Sequence, residues 1–228
     1  MSKRRPLSKT IWSLVRHPDT LKTILVEKTS VGTFTHDKLY DDKYFRFVER
    51  TTAQSATAIC NSIVQSLHPS SLIDVGCGTG VLIERLQEQG VRVKGLELAE
   101  AALNLCRARQ LDVIKFDVCT DRLPAEFANA DVAVSMSVGQ QLSEAFVDHY
   151  VDLLCQIAPT VVFSSGTPGR GDRKPLNEQP HQYWIDKFAE REYRFDEPLS
   201  KQWRDDWKAR NTSPWFQQDV LIFIKNNA

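Results

Sequence analysis

The hydrophobic positions of this chain follow two periodicities that alternate along most of its length. Short apolar runs such as Ser71–Val75 and Thr160–Ser164 are typical of buried strands, whereas apolar residues spaced three and four apart predict helices. A long helix is predicted over Asp42–Leu67, with Asp42 as its cap and His68-Pro69 after its end. Strands that alternate with helices indicate a parallel sheet with right-handed crossovers.

The same periodicity predicts the remaining elements of an α/β fold. The predicted helices are residues 81–89, 99–109, 143–158 and 183–190, and the further predicted strands are residues 91–98, 113–116, 132–136, 193–195 and 220–225. The last two strands follow five parallel ones, and we expect them to form an antiparallel edge. The prediction is therefore a seven-stranded, mostly parallel sheet.

The first 40 residues have a different pattern from the rest of the chain. Two short amphipathic helices are predicted there, separated by His17-Pro18, with Asp19 as the cap of the second. The sequence therefore divides into an N-terminal helical extension, residues 1–40, and a main domain, residues 41–228.

Composition narrows the possible functions. The chain has 29 Lys and Arg residues against 29 Asp and Glu, and this zero net charge argues against sequence-independent nucleic-acid binding. No apolar run is long enough to span a bilayer, and the basic start lacks the apolar core of a secretory signal. Five widely spaced cysteines form no zinc framework and indicate a reducing compartment, so we expect a cytoplasmic protein without a metal site.

The glycine-rich segment after the first strand carries the most specific chemistry. It reads Leu72-Ile73-Asp74-Val75-Gly76-Cys77-Gly78-Thr79-Gly80. Glycines permit a tight turn that a Cβ would obstruct, and a helix begins directly afterwards, so a ligand can lie against backbone amides at the end of the strand. A P-loop is excluded because no Gly-Lys-Ser/Thr follows, and the spacing differs from that of the dinucleotide fingerprint.

This segment resembles motif I of the class I S-adenosylmethionine (SAM)-dependent methyltransferases. The resemblance implies a Rossmann-like fold and SAM as the cofactor, with Asp74 ordering the glycine loop and facing the SAM amino group. The next strand ends at Glu97, whose carboxylate can accept hydrogen bonds from both ribose hydroxyls. Asp117, after the third strand, resembles the residue that binds the adenine amine. The full set of implied cofactor-binding residues is Asp74, Gly76, Cys77, Gly78, Gly80, Glu97, Leu98, Asp117, Val118, Ser135, Tyr40 and Tyr44.

The resemblance extends over residues 36–228, to bacterial methyltransferase-domain proteins associated with glycan and natural-product clusters. It is carried by residues 38–45, by Asn177-Glu178-Gln179 and by Tyr183-Trp184. It implies methyl transfer to a small natural-product or sugar-derived acceptor, with no nucleic acid or membrane as partner. The implied substrate-binding residues are Gln140, Gln141, Asn177, Tyr183, Trp184 and Arg170.

The loop after the fourth strand departs from these relatives. They commonly carry Glu-Val-Ala-Glu-His-Leu, whereas this chain has Ser-Val-Gly-Gln-Gln-Leu at residues 137–142. The missing histidine is the natural general base, because imidazole titrates near neutral pH and glutamine takes no proton there. The remaining candidates for a catalytic base are Glu178, His181 and His36.

Two alternatives follow from this departure. Some methyltransferase-like enzymes cyclise SAM itself to an azetidine or aziridine and release methylthioadenosine, which requires no second substrate. A non-catalytic SAM-binding partner subunit is the other alternative. In each case the extension of residues 1–40 is expected to act as a lid that excludes water from the SAM site.

Overall fold

The computed structural model describes residues 40–169 and 176–226. Its helices are α1 (Asp42–Leu67), α2 (Val81–Glu88), α3 (Glu100–Ala108), α4 (Val147–Ile157), α5 (His181–Ala189), α6 (Glu197–Ala209) and α7 (Pro214–Asp219). Its strands are β1 (Ser71–Val75), β2 (Arg92–Glu97), β3 (Val113–Lys115), β4 (Val132–Met136), β5 (Thr160–Ser164), β6 (Tyr193–Phe195) and β7 (Val220–Lys225). The expected N-terminal lid lies outside the described residues except for Tyr40, as do His36 and Arg170.

The strands form one seven-stranded sheet in the order β3-β2-β1-β4-β5-β7-β6. Strands β1 to β5 are parallel, and β7 pairs antiparallel with both β5 and β6. This confirms the predicted seven-stranded, mostly parallel sheet and its antiparallel edge. Because β1 to β5 are parallel, the loops that follow them all leave from one edge, which is where ligands bind in open α/β sheets.

Alternating side chains place the core on both faces of the sheet. Ile73 and Ala133 belong to a buried cluster that includes α4 and α5, whereas Leu72, Val132 and Val134 pack with α1, α2 and α6. Successive strand residues point to opposite faces, so each central strand contributes to both clusters. The near-continuous apolar runs of β1, β4 and β5 follow from this burial on two faces.

The end of the long first helix matches the prediction, and its cap differs by one residue. Asp41, rather than Asp42, is the N-cap, because the Asp41 carboxylate accepts from the backbone N–H of Tyr44 at 2.8 Å. His68 adopts the left-handed conformation after the last turn, and its N–H donates to the carbonyl oxygen of Val64. Pro69 follows directly and excludes further helix.

Two helices between the last strands were not predicted. In α6, Trp203 and Trp207 are fully buried, and their indole N–H groups donate to the hydroxyls of Ser66 and Ser62 in α1. Trp215, in α7, is only partly buried and packs against the same cluster. Trp203 and Trp207 are therefore core aromatics and do not form a surface for stacking bases.

The residues that the structure describes contain no helix with both the length and the apolar character needed to cross a bilayer.

Candidate functional site

The glycine loop between β1 and α2 turns back against the end of β2. The N–H groups of Gly76 and Cys77 both donate to the carbonyl oxygen of Leu96, at 2.7 and 3.2 Å. Gly76, Gly78 and Gly80 have φ of +72°, +55° and +76°, a region that side chains with a Cβ rarely adopt. At Gly76 a Cβ would also lie 2.4 Å from Cγ2 of Val138, so the loop after β4 packs directly on it.

Glu97 stands at the end of β2 and organises the loop from the other side. Its Oε2 accepts from the N–H of Gly78, and its Oε1 accepts from the N–H groups of Leu98 and Ala99, all at 2.8 Å. The side chain is buried, and burial raises the pKa of Glu97 while the three backbone N–H groups oppose that rise. A carboxylate has about four acceptor positions, so Oε2 retains one for an incoming hydroxyl.

Asp74, in β1, is buried beside Glu97 and has an unsatisfied oxygen. Its Oδ2 has no hydrogen-bond partner among the described residues. Burial raises the pKa of Asp74 to about 7, and the charge of Glu97 adds to the rise. A buried acid with an unsatisfied oxygen, next to a second acid, favours a cationic ligand at this point.

We expect this buried acid to make the ligand-free protein less stable as the pH rises from 5 to 8. The pKa of Asp74 is about 7 in the fold and ordinarily 3.8, so up to about pH 7 the folded state keeps a proton that the unfolded chain has lost, and above pH 7 the difference disappears. Stability therefore falls with pH, by at most about 1.4 kcal/mol per pH unit from this group. Urea unfolding at pH 5 and pH 8 measures the change.

The matched comparison is between Asp74→Asn and Asp206→Asn, since Asp206 is an exposed residue of α6. Asp74→Asn should flatten the profile, and Asp206→Asn should leave it like that of the wild type. An unchanged profile in Asp74→Asn contradicts the assignment.

Helix α1 is tied to the glycine loop through Arg109. The guanidinium of Arg109 donates to the carbonyl oxygen of Thr79 at 2.7 Å and forms a close ion pair with Glu49 of α1. Nearer the start of the helix, the Phe45 ring lies 3.8 Å from the position of a Cβ on Gly78. These contacts hold the first half of α1 beside the loop.

The residues just before α1 reach across to the loop after β4. The Tyr40 hydroxyl donates to Oε1 of Gln141 at 2.7 Å, and its ring meets that of Tyr44 edge to face with centroids 5.1 Å apart. Tyr44 in turn meets Phe45 edge to face. Because Tyr40 and Gln141 are 101 residues apart, this bond joins two segments at the same edge of the sheet.

Other residues of the expected cofactor set lie around this edge. Asp117 follows β3, and its Oδ1 accepts from the N–H of Cys119 at 2.9 Å. Val118 is half-buried against the core. Ser135 is fully buried, with its hydroxyl between the Val75 carbonyl oxygen and the Tyr150 hydroxyl, so it is placed to join β1, β4 and α4 rather than to reach a ligand.

The Cys77 side chain, also in the expected cofactor set, turns away from the open side of the loop. A Cβ on Gly95 of β2 would lie 2.8 Å from its sulfur. The hydrogen bond with the neighbouring thiol of Cys106 and burial both raise the pKa of Cys77, so its thiol stays protonated.

Two of the expected substrate-side residues, Gln140 and Asn177, meet beyond the ends of β4 and β5. Gln140 is buried, its side-chain oxygen accepts from the hydroxyl of Ser165, and its carbonyl oxygen accepts from the N–H of Asn177. Asn177 Nδ2 and Glu178 Oε1 are buried without hydrogen-bond partners in the described part of the chain. Unpaired buried polar atoms are costly, and a donor and an acceptor together suit a polar ligand.

Trp184 and Tyr183 differ from each other in burial and in their polar contacts. Trp184 is fully buried against Phe163 and Gly139, so its ring belongs to the core, although its indole nitrogen has no partner among the residues described. The Tyr183 hydroxyl donates to Glu144 at 2.8 Å, on the α4 side of the molecule. The structure thus brings Gln140 and Asn177 together and links Asn177 through Gln179 to Glu144, the partner of Tyr183. The ring of Trp184, in contrast, is packed in the core.

The structure pairs His181, a candidate base from the sequence, with Asp219, which sequence reasoning did not identify. His181, at the start of α5, contacts Asp219, at the end of α7, with 3.2 Å between Nε2 and Oδ1. The two residues are 38 positions apart and no local motif joins them. In the part of the chain that the structure describes, no group of three or more His, Cys, Asp or Glu side chains could hold a metal ion.

The sheet order, the glycine loop and the acid at the end of β2 together define a class I methyltransferase fold. The family model described as "Methionine biosynthesis protein MetW" matches residues 57–164. Among curated proteins, the ubiquinone biosynthesis O-methyltransferase of Hydrogenovibrio crunogenus is 44% identical over 48 residues, which is 21% of this chain and 20% of that protein. Its counterpart in Idiomarina loihiensis is 38% identical over 69 residues, covering 27% of this chain and 28% of that one.

Solved structures agree in fold. The sugar N-methyltransferase KedS8 from Streptoalloteichus aligns with a TM-score of 0.62 and 14% identity, over 82% of this chain and 92% of that one. Magnesium protoporphyrin IX methyltransferase from Synechocystis, solved with bound SAM, aligns with a TM-score of 0.58 and 13% identity. The alignment covers 98% of this chain and 100% of that one. These structures show that the chain has the class I SAM-dependent methyltransferase fold, and the family model and the curated relatives match it over part of its length.

Proposed function

We propose that this protein transfers the methyl group of SAM to a small natural-product or sugar-derived acceptor. The main observation that supports this proposal is the arrangement at the ends of β1 and β2. Asp74 and Glu97 flank a glycine loop there that accommodates no Cβ at Gly76. The names of the curated relatives indicate oxygen as the acceptor atom. The five free cysteines support a reducing compartment such as the cytoplasm.

The described residues suit SAM in charge and in hydrogen bonding. Oε2 of Glu97 has room for a ribose hydroxyl, and the unsatisfied Oδ2 of Asp74 suits the amino group of the methionine moiety. A cation there would favour the ionised form of Asp74, so binding at neutral pH should release a proton. When bound, SAM supplies a methyl group on a positively charged sulfur. Asp117 remains the proposed partner of the adenine amine.

The acceptor is proposed to lie against the cluster formed by Gln140, Asn177 and Glu178. Asn177 Nδ2 would donate to the acceptor, and Glu178 Oε1 would accept from it. Holding the acceptor in one orientation is the main contribution that such residues make to catalysis.

A second candidate function is cyclisation of SAM without any acceptor. The observation that favours it is the loop after β4, where Gln140 and Gln141 replace residues able to take a proton. The side-chain oxygens of both glutamines are already bonded within the protein. In this candidate the same cluster would fold the methionine chain rather than hold a second molecule.

Incubation with SAM alone, followed by mass spectrometry, separates these functions. Methyl transfer predicts almost no turnover until the deproteinised small-molecule fraction of a cell extract is added, and then S-adenosylhomocysteine. Methylthioadenosine with a cyclic amino acid from SAM alone supports cyclisation and contradicts methyl transfer. SAM binding without either product supports the non-catalytic partner subunit.

A further inference from the structure

His181 and Asp219 form a pair that the expected SAM site does not use. Their Nε2 and Oδ1 atoms are 3.2 Å apart, which allows a hydrogen bond. The Asp219 side chain is 4% exposed and the His181 side chain 31% exposed. The acid is therefore enclosed by protein, while part of the imidazole ring remains open to a bound molecule.

The pair lies at the same edge of the sheet as the glycine loop. Asp219 directly precedes β7, whose first residue, Val220, pairs with Ser164 at the carboxyl end of β5. His181 comes from α5, which packs on the α4 face of the sheet, whereas α7 packs on the face of α1 and α6. The hydrogen bond thus connects the two faces above β5 and β7, next to the substrate-side cluster.

The geometry also selects one tautomer of the ring. An ionised aspartate only accepts hydrogen bonds, so Nε2 of His181 must carry the hydrogen in this contact. In the neutral ring, Nδ1 is then the nitrogen with a lone pair. A carboxylate that fixes the tautomer and stabilises the imidazolium is the arrangement by which a histidine acts as a general base.

We propose that His181 is the general base of this enzyme, acting through Nδ1, and that Asp219 positions it, which makes the acceptor a hydroxyl compound. This rests on the proposed methyl transfer. The O–H bond of the acceptor breaks and its proton passes to Nδ1. The oxygen electron pair forms the new bond to the methyl carbon, and sulfur keeps the pair of the broken carbon–sulfur bond. This base replaces the one that is absent from residues 137–142.

Two other charged residues lie close to the pair along the chain or through a neighbouring residue. Glu178 is three residues before His181, and its Oε2 accepts from the N–H of Gly169. Arg204 of α6 donates to the carbonyl oxygen of Val220, beside Asp219. Asp219 is the group in direct contact with the ring, so Asp219→Asn is the substitution that tests positioning.

A first experiment tests the pair without any acceptor. Long-range ¹H–¹⁵N NMR of the labelled full chain, at a pH where the ring is neutral, reports which nitrogen carries the hydrogen. The spectrum of His181→Gln identifies the His181 signal by its loss. We expect the Nε2–H tautomer in the wild type and a mixture in Asp219→Asn. A mixture in the wild type, or no change in Asp219→Asn, overturns the positioning role.

A second experiment measures methyl transfer from labelled SAM to the deproteinised small-molecule fraction of a cell extract. His181→Gln should lower the rate about 10²- to 10⁴-fold at neutral pH, since that is the usual contribution of a general base. Glutamine still offers an N–H to Asp219, so the contact between helices is retained. Raising the pH should recover part of the loss, because hydroxide then ionises the acceptor, whereas damage to packing would not recover.

The matched control is His149→Gln, an exposed histidine of α4, which should keep the wild-type rate and pH profile. A rate within twofold of wild type in His181→Gln, or a loss that high pH does not reduce, overturns the base assignment. SAM binding by calorimetry separates the two proposals. If the wild type binds no SAM, the proposed function fails. The NMR measurement of the His181 tautomer still decides, independently of SAM, whether Asp219 positions His181.

Discussion

Gly76→Ala is expected to remove most SAM binding while the rest of the chain stays folded. The new Cβ would lie 2.4 Å from Cγ2 of Val138, and the backbone at this position has φ of +72°. Val138 is β-branched and has little rotamer freedom, so the loop itself must move. The left-handed conformation costs about 1–2 kcal/mol with a Cβ present, and the overlap about 1–3 kcal/mol more. Displacement of the loop also moves the N–H of Gly78 away from Glu97.

Gly90→Ala is the control for this substitution. Gly90 has φ of +84°, and nothing lies within 4 Å of the Cβ position, so it carries the conformational cost without the overlap. We expect calorimetry to show at least a tenfold loss of SAM affinity in Gly76→Ala and no change in Gly90→Ala. Circular dichroism and thermal unfolding verify that both variants are folded. Equal affinities in the two variants contradict the placement of SAM on this loop.

Glu97→Ala is expected to have the second largest effect, on both binding and stability. It removes the proposed ribose contact and leaves the N–H groups of Gly78, Leu98 and Ala99 without their acceptor. A lost hydrogen bond to a charged group weakens binding by roughly 1–3 kcal/mol, about 5- to 150-fold in affinity. The three unpaired N–H groups should also lower the melting temperature.

Two companion variants separate these effects. Glu97→Gln keeps the shape of the side chain but turns one acceptor into a donor. Its SAM affinity and its melting temperature should therefore lie between those of the wild type and Glu97→Ala. Glu100→Ala removes a nearby exposed acid that pairs with Lys115 and Arg107, and it should leave SAM affinity unchanged. Wild-type affinity in Glu97→Ala, measured by calorimetry on folded protein, contradicts the ribose assignment.

The sequence predicted most of the sheet because strand periodicity is local. The strands β1, β4, β5, β6 and β7 have the bounds expected from their apolar runs, and β2 and β3 are shorter by one or two residues at their ends. The helix expected over residues 143–158 begins later, at Val147, after a short 3₁₀ turn over Glu144–Phe146. Helix α6 was not predicted, because the surface of α1 against which its tryptophans pack is distant in sequence.

The chemistry of the glycine loop was likewise visible in the sequence, because the loop and its strand are contiguous. Motif I needs only residues 72–80, and Glu97 ends the next strand along the chain. The sequence alone therefore determined the fold class, the cofactor loop and its acidic partner. Each of these depends on spacing within a few residues or on the order of consecutive elements.

Only the tertiary structure decided which distant side chains meet. Tyr40 reaches Gln141, Ser135 is enclosed between β1 and α4, and His181 pairs with Asp219 because β7 returns beside β5. The physical reason is that such contacts depend on the order and direction of strands in the sheet, and a short motif carries no record of either. The loop proposed to bind the cofactor is a local property of this sequence, whereas the contact of the candidate base with Asp219 is a property of its folded sheet.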